Sequence, residues 1–154
     1  MELIDLVPVE GIVPALRVTS KKQALLELAG RAETLTGIAQ REIYDALMER
    51  ERLGSTGVGN GIAIPHAKLP GLDRLWGLFA RLETPIDFDS IDEQPVDLMF
   101  LLLAPTGAGA DHLKALARVS RLLRNHSVCD KLRGSNDTAA IFALLTEPVA
   151  SHAA

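Results

Sequence analysis

Residues 1–154 predict a single α/β domain in which a mixed sheet of about five strands is sandwiched between helices. Three observations carry that expectation. Short apolar runs alternate with segments whose apolar residues recur at helical spacing. Val96 to Ala104 is almost continuously apolar, as in a central strand covered on both faces. A glycine-rich stretch, Gly54 to Gly61, stops a helical pattern and runs into Ile62-Ala63-Ile64, too short and apolar for anything but a buried strand.

In chain order, residues 1–11 read as a first turn or short helix. Ile12 to Val18 reads as a strand, short or at an edge because Pro14 cannot donate to a ladder. Ser20 and Gln23 form a capping-box pattern that opens a helix with Ala24, Leu25, Leu28, Ala29 and Ala32 on one face; Thr36-Gly37 ends it. A second helix runs from about Gln40 to Arg52, with Gly54 as its stop.

After Ile64, Pro65 fixes φ near −65° at the strand's end, and Pro70-Gly71 marks a turn. Leu75 to Leu82 reads as a strand with Gly77 at a tight spot and Trp76 in the core. Glu83 to Pro95 reads as a solvated excursion: Asp87, Asp89, Asp92 and Glu93 lack the spacing of a metal-binding loop. Pro105 to Ala110 is a flexible connection, and Asp111 suits the start of a helix carrying Leu113, Leu116, Val119, Leu122 and Leu123. A short helix from Ser127 to Leu132 holds Cys129 as a small buried hydrophobe, and Asn136-Asp137 caps a last helix from Thr138 to Leu145. The core spans about 10–145; the tail, about 147–154 with His152, reads as disordered. His126, at a helix end, fits the helix dipole.

The formal charge of −4 argues against nucleic acid and against anionic membrane surfaces, both of which select basic faces. No apolar run approaches the ~20 residues that span a bilayer. One cysteine cannot pair within the chain, and Met1-Glu2-Leu3 does not begin a leader, so the expected compartment is the cytoplasm.

The chemistry is expected at His66. Imidazole, with an ordinary pKa near 6.5, is largely neutral and nucleophilic at pH 7. The preceding loop is rich in N–H donors and in residues that tolerate close backbone approach. Gly54, Ser55, Thr56, Gly57, Gly59, Asn60 and Gly61 are therefore the expected phosphate-binding set. Residue pattern alone favours a plain turn followed by a structural histidine. The stretch is neither a nucleotide P-loop nor a dinucleotide fingerprint, since no Gly-Lys-Ser/Thr follows and the glycines precede a strand.

Glu49-Arg50-Glu51-Arg52-Leu53 leading into GSTGVGNGIAIPHAKL closely resembles the active-site signature of the type-2 enzyme IIA proteins of the bacterial phosphotransferase system. Leu82 to Leu98 resembles the nitrogen-regulatory branch, and the likeness extends over about residues 10–145. It implies the same sandwich fold and a regulatory phosphocarrier in which His66 is phosphorylated by an HPr-like histidine phosphocarrier. It further implies regulatory targets such as sensor kinases or ion transporters. His112, in His112-Leu113-Lys114-Ala115-Leu116, matches the family's second active-site histidine and is implied to support the phosphoryl group; from the residues alone it reads as a surface histidine.

Arg50 lies one short loop from His66 and has the fork that matches phosphate oxygens; the family carries an Arg there. Arg52 is read as structural, a cation at a helix C-terminus. In-line transfer between nitrogens needs positioning and charge neutralisation, which these donors supply, so neither metal nor cofactor is expected. Ile64, Ala67, Leu69 and Leu72 are the expected apolar rim. Other readings are a fructose- or mannitol-type transport enzyme IIA that passes the group to an enzyme IIB, and a small-anion-binding module.

Overall fold

The computed structural model describes residues 2–147. The sheet has six strands, one more than expected: β1 Ile12–Leu16, β2 Gly57–Gly59, β3 Ile62–Ala63, β4 His66–Leu69, β5 Trp76–Ile86 and β6 Val96–Pro105. Five helices accompany them: α1 Lys21–Thr36, α2 Gln40–Arg52, α3 Ala110–Leu123, α4 His126–Arg133 and α5 Thr138–Thr146. Two 3-10 turns, Leu3–Asp5 and Val9–Gly11, precede β1. The expected disorder of the tail, His152 included, falls on residues 148–154, which lie outside the described residues.

β6 is the centre of the sheet. It pairs antiparallel with β5 on one side and, in parallel, with β3 and β4 on the other. Its side chains alternate between two cores. Met99, Leu101 and Leu103 join the layer formed with α1 and α2, whereas Leu98, Phe100 and Leu102 join the layer formed with α3, α4 and α5. Burial on both faces is why this strand is apolar at nearly every position. Gly77 in β5 makes room for it: a Cβ there would stand 2.9 Å from the Phe100 ring.

β1 is an edge strand, paired only with β5, as Pro14 requires. Ser20 caps α1 by accepting from the Gln23 amide, but the Gln23 side chain reaches back to the amide and hydroxyl of Thr19 rather than completing a reciprocal box with Ser20. Gly37, at φ 80°, closes α1. α3 begins at Ala110 behind Gly109, with Asp111 in its first turn, and α4 begins at His126 with Asn125 as its cap. His126 thus opens a helix, the end where a dipole favours anions, and the dipole account of it fails. Trp76 is half-buried, with Arg74 stacked on its ring at 4.1 Å.

The glycine-rich stretch folds as a hairpin. β2 and β3 are antiparallel, joined by Asn60 and Gly61 at φ 57° and 79°, the two left-handed residues that a tight primed turn demands. Arg133 locks it, donating to Asn60 O at 2.7 Å and to Asp97 at 2.9 Å.

Candidate functional site

His66 is the first residue of β4, which among the described residues pairs with β6 alone. β3 and β4 run along the same side of β6 in two pieces, separated at Ile64-Pro65, where Leu102 N donates to Pro65 O at 2.9 Å. That break delivers the imidazole to the sheet edge, between the end of α2 and the start of α3.

The ring is fixed at both nitrogens. Nδ1 stands 2.9 Å from the carbonyl oxygen of Ile64, and Nε of Arg50 donates to Nε2 at 3.2 Å. A carbonyl only accepts, so Nδ1 carries the proton and Nε2 the lone pair. Arg50 also donates from Nη1 to Gly54 O at 2.9 Å, which fastens the guanidinium to the end of its own helix. Burial is the main force holding His66 below the ordinary imidazole pKa, with Arg50 adding to it against the opposing Ile64 bond.

His112 is buried, at 6% exposure, rather than lying on the surface as its residue pattern alone reads. Its ring meets that of His66 edge-on, with centroids 5.6 Å apart, and its Nε2 has no hydrogen-bond partner. Burial, then the neighbouring His66 and Lys68, lowers its pKa. Arg50, His66 and His112 line one cavity of about 530 Å³ together with Leu53, Lys68 and Glu49. Three groups drawn from α2, β4 and α3 thus converge on one space.

The loop behaves differently. None of residues 54–61 lines this cavity. Ser55 Oγ donates to Phe88 O and accepts from Gly57 N. Thr56 gives its amide and hydroxyl to Glu51, the Asn60 amide binds Asp92, and the Gly54 amide returns to Glu51 O. Gly57, Gly59 and Gly61 belong to the hairpin and its turn. The donors of Gly54, Ser55, Thr56, Gly57 and Asn60 are thus engaged within the chain, and the polar groups that line the cavity beside His66 are Glu49, Arg50, Lys68 and His112.

Of the expected rim, Ala67 lines the cavity and Ile64, Leu69 and Leu72 do not. Ile64, Ala67 and Leu69 are 5%, 6% and 1% exposed, and Leu72 packs on the core. The exposed apolar side chains nearby are Leu53, 84% exposed at the cavity edge, and Leu113, 69% exposed beside His112. Arg52 pairs with Glu49 on the surface. Two residues escaped the sequence reading: Lys68, and Glu51, whose buried carboxylate binds Thr56 and, at 2.9 Å, Lys21. Alternation along β4 would have placed Lys68 on the same side as His66. Glu51 follows Ile43 and Leu47 at four-residue spacing on the buried face of α2, so helical periodicity could have found it.

The acidic stretch is structural: Asp92 binds the amides of Asn60 and Gln94, and those bonds lower its pKa. Among the described residues no group of three or more His, Cys, Asp and Glu could hold a metal ion, and no helix is long and apolar enough to cross a membrane.

Residues 5–147 match the model of the family described as Phosphoenolpyruvate-dependent sugar phosphotransferase system, EIIA 2. The chain belongs to this family. A nitrogen regulatory protein of Bradyrhizobium diazoefficiens is 60% identical over 153 residues, covering 99% of this chain and 100% of its own. That of Escherichia coli K12 is 41% identical over 83% of this chain and 79% of its own. Nitrogen regulatory protein IIA-Ntr of Neisseria meningitidis superposes with a TM-score of 0.89 at 34% identity, covering 94% of this chain and 99% of that one. Mannitol IIA of E. coli, at 20% identity and a TM-score of 0.74, covers 90% and 97% and shares the fold. This EIIA chain is therefore a phosphotransferase-system component similar to the nitrogen-regulatory members.

Proposed function

We propose that this chain is a regulatory phosphocarrier of the nitrogen-related phosphotransferase branch, phosphorylated on Nε2 of His66 by an HPr-like histidine phosphocarrier. The supporting observation is the proton held on Nδ1 by Ile64 O, which leaves the Nε2 lone pair facing Arg50. That lone pair attacks phosphorus in line while the bond from phosphorus to the donor's imidazole nitrogen breaks, and the donor nitrogen keeps the electron pair. Arg50 then transfers its hydrogen bonds from Nε2 to the phosphoryl oxygens, and His112 and Lys68 add donors or charge. Nδ1 keeps its proton throughout, so the phosphorylated ring stays cationic and the group remains transferable.

Charge is the signal. A phosphoryl group adds roughly two negative charges between Leu53 and Leu113, and a target with an apolar or acidic matching face is rejected by desolvation and repulsion. Relatives called nitrogen regulatory protein favour the regulatory branch. Incubation with a phosphorylated HPr-like donor should give acid-labile, alkali-stable phosphate on the wild type and none on His66→Ala. Label surviving in His66→Ala refutes the assignment. Adding a fructose- or mannitol-type enzyme IIB separates the transport reading, which requires the label to move on.

A further inference from the structure

A second cavity, of about 340 Å³, lies between the β2–β3 hairpin and the corner where α3 passes into α4. Ile62, Ile64, Leu123 and Cys129 give it apolar walls, and the exposed Arg124 and His126 stand at its edge. No residue lining it is acidic. Among the described residues Arg124 has no ion pair or side-chain hydrogen bond to occupy its guanidinium. Such a combination, an apolar recess with a free fork at its mouth, recognises a carboxylate attached to a small apolar body.

The recess is also joined to the phosphorylation site by the backbone. Ile64 puts its side chain into this cavity and its carbonyl oxygen on Nδ1 of His66. α3 contributes Leu123 here and carries His112 at its other end. We infer that this cavity is an effector site for a small organic carboxylate, held by Arg124 and His126, which alters phosphoryl acceptance through Ile64. Binding stands by itself; the effect on His66 rests on the phosphocarrier reading. By linkage, an effector that changes the equilibrium of phosphorylation must bind the free and phosphorylated forms with affinities differing by the same factor.

The test is titration of the full chain with a panel of aliphatic mono- and dicarboxylates, followed by amide chemical shifts, with inorganic phosphate as a parallel arm. Expected are saturable shifts at Val58, Ile64, Ser120 and His126, an affinity weakened about tenfold or more by Arg124→Glu, and a carboxylate-dependent change in His66 phosphorylation that Arg124→Glu abolishes. Without carboxylate, Arg124→Glu should accept phosphate at the wild-type rate. No saturable binding into the millimolar range, binding indifferent to Arg124→Glu, phosphate binding as well as any carboxylate, or binding without effect on a phosphorylatable His66 would overturn it. Failure of His66 to label at all strikes the phosphocarrier reading instead, while the shift titration still decides whether the site exists.

Discussion

Nε of Arg50 stands 3.2 Å from Nε2 of His66, so the residue proposed to stabilise the transferred charge also covers the proposed nucleophile before transfer. Arg50→Lys retains a cation at the end of α2 but loses the fork. Phosphorylation by the donor should slow by about 10²-fold, the cost of one well-placed donor. The melting temperature should scarcely move, and a large loss of stability with unchanged transfer would make Arg50 structural.

His112 offers a buried ring with an unpartnered Nε2. His112→Ala should slow transfer more than His112→Gln, which keeps a donor, by a difference of about 1.5–3 kcal/mol in activation free energy. Rapid-quench labelling measures both.

The imidazoles of His66 and His112 are each held low, chiefly by burial. Their unfolded counterparts titrate near 6.5, so below that pH the unfolded chain binds protons first. The stabilisation is complete above pH 6.5, declines as pH falls, and levels off once the folded rings protonate. Denaturant titrations across this range should show a slope that His112→Gln reduces. An unchanged slope would mean that other groups dominate.

Glu51 holds Thr56 and Lys21 with a side chain only 2% exposed. Glu51→Ala strands Thr56 and leaves Lys21 only its longer pair with Asp89 at 3.8 Å, and should cost about 3 kcal/mol by denaturant unfolding. Lys21→Met in the same background should recover part of that loss, because the uncompensated charge goes with it.

Leu53 and Leu113 stand exposed around the site. Leu53→Glu and Leu113→Glu should weaken donor and target binding by about tenfold each, or ~1.4 kcal/mol, with little change in folding. Leu69→Glu, by contrast, buries a charge in the core and should unfold the chain.

The sequence disclosed what periodicity encodes. The helices, the apolar β6 and the edge position of β1 all follow from patterns internal to one element. β4 escaped because four residues after a proline show no repeat long enough to read, and its order comes from pairing with Leu102 to Pro105. The hairpin is hard to read for a different reason: Asn60-Gly61 is a strong turn signal, but the surrounding glycines fit a cradle as well. His66 and Arg50 were legible through the family signature and chain proximity, while the burial of His112 depends on α3 folding back over a distant strand. Of the expected rim only Ala67 lines the cavity, because Leu69 alternates into the core and Ile64 and Leu72 pack against other elements.

The central place of β6 also sets an order of events during synthesis. His66 and the strands around it leave the ribosome well before residues 96–105, which supply the only ladder that β4 possesses and nearly all that secures β3. Long-range pairing of this kind cannot form until the later segment arrives. A nascent chain ending before Val96 therefore carries His66 without the ladder that sets its geometry, and His112 follows later still.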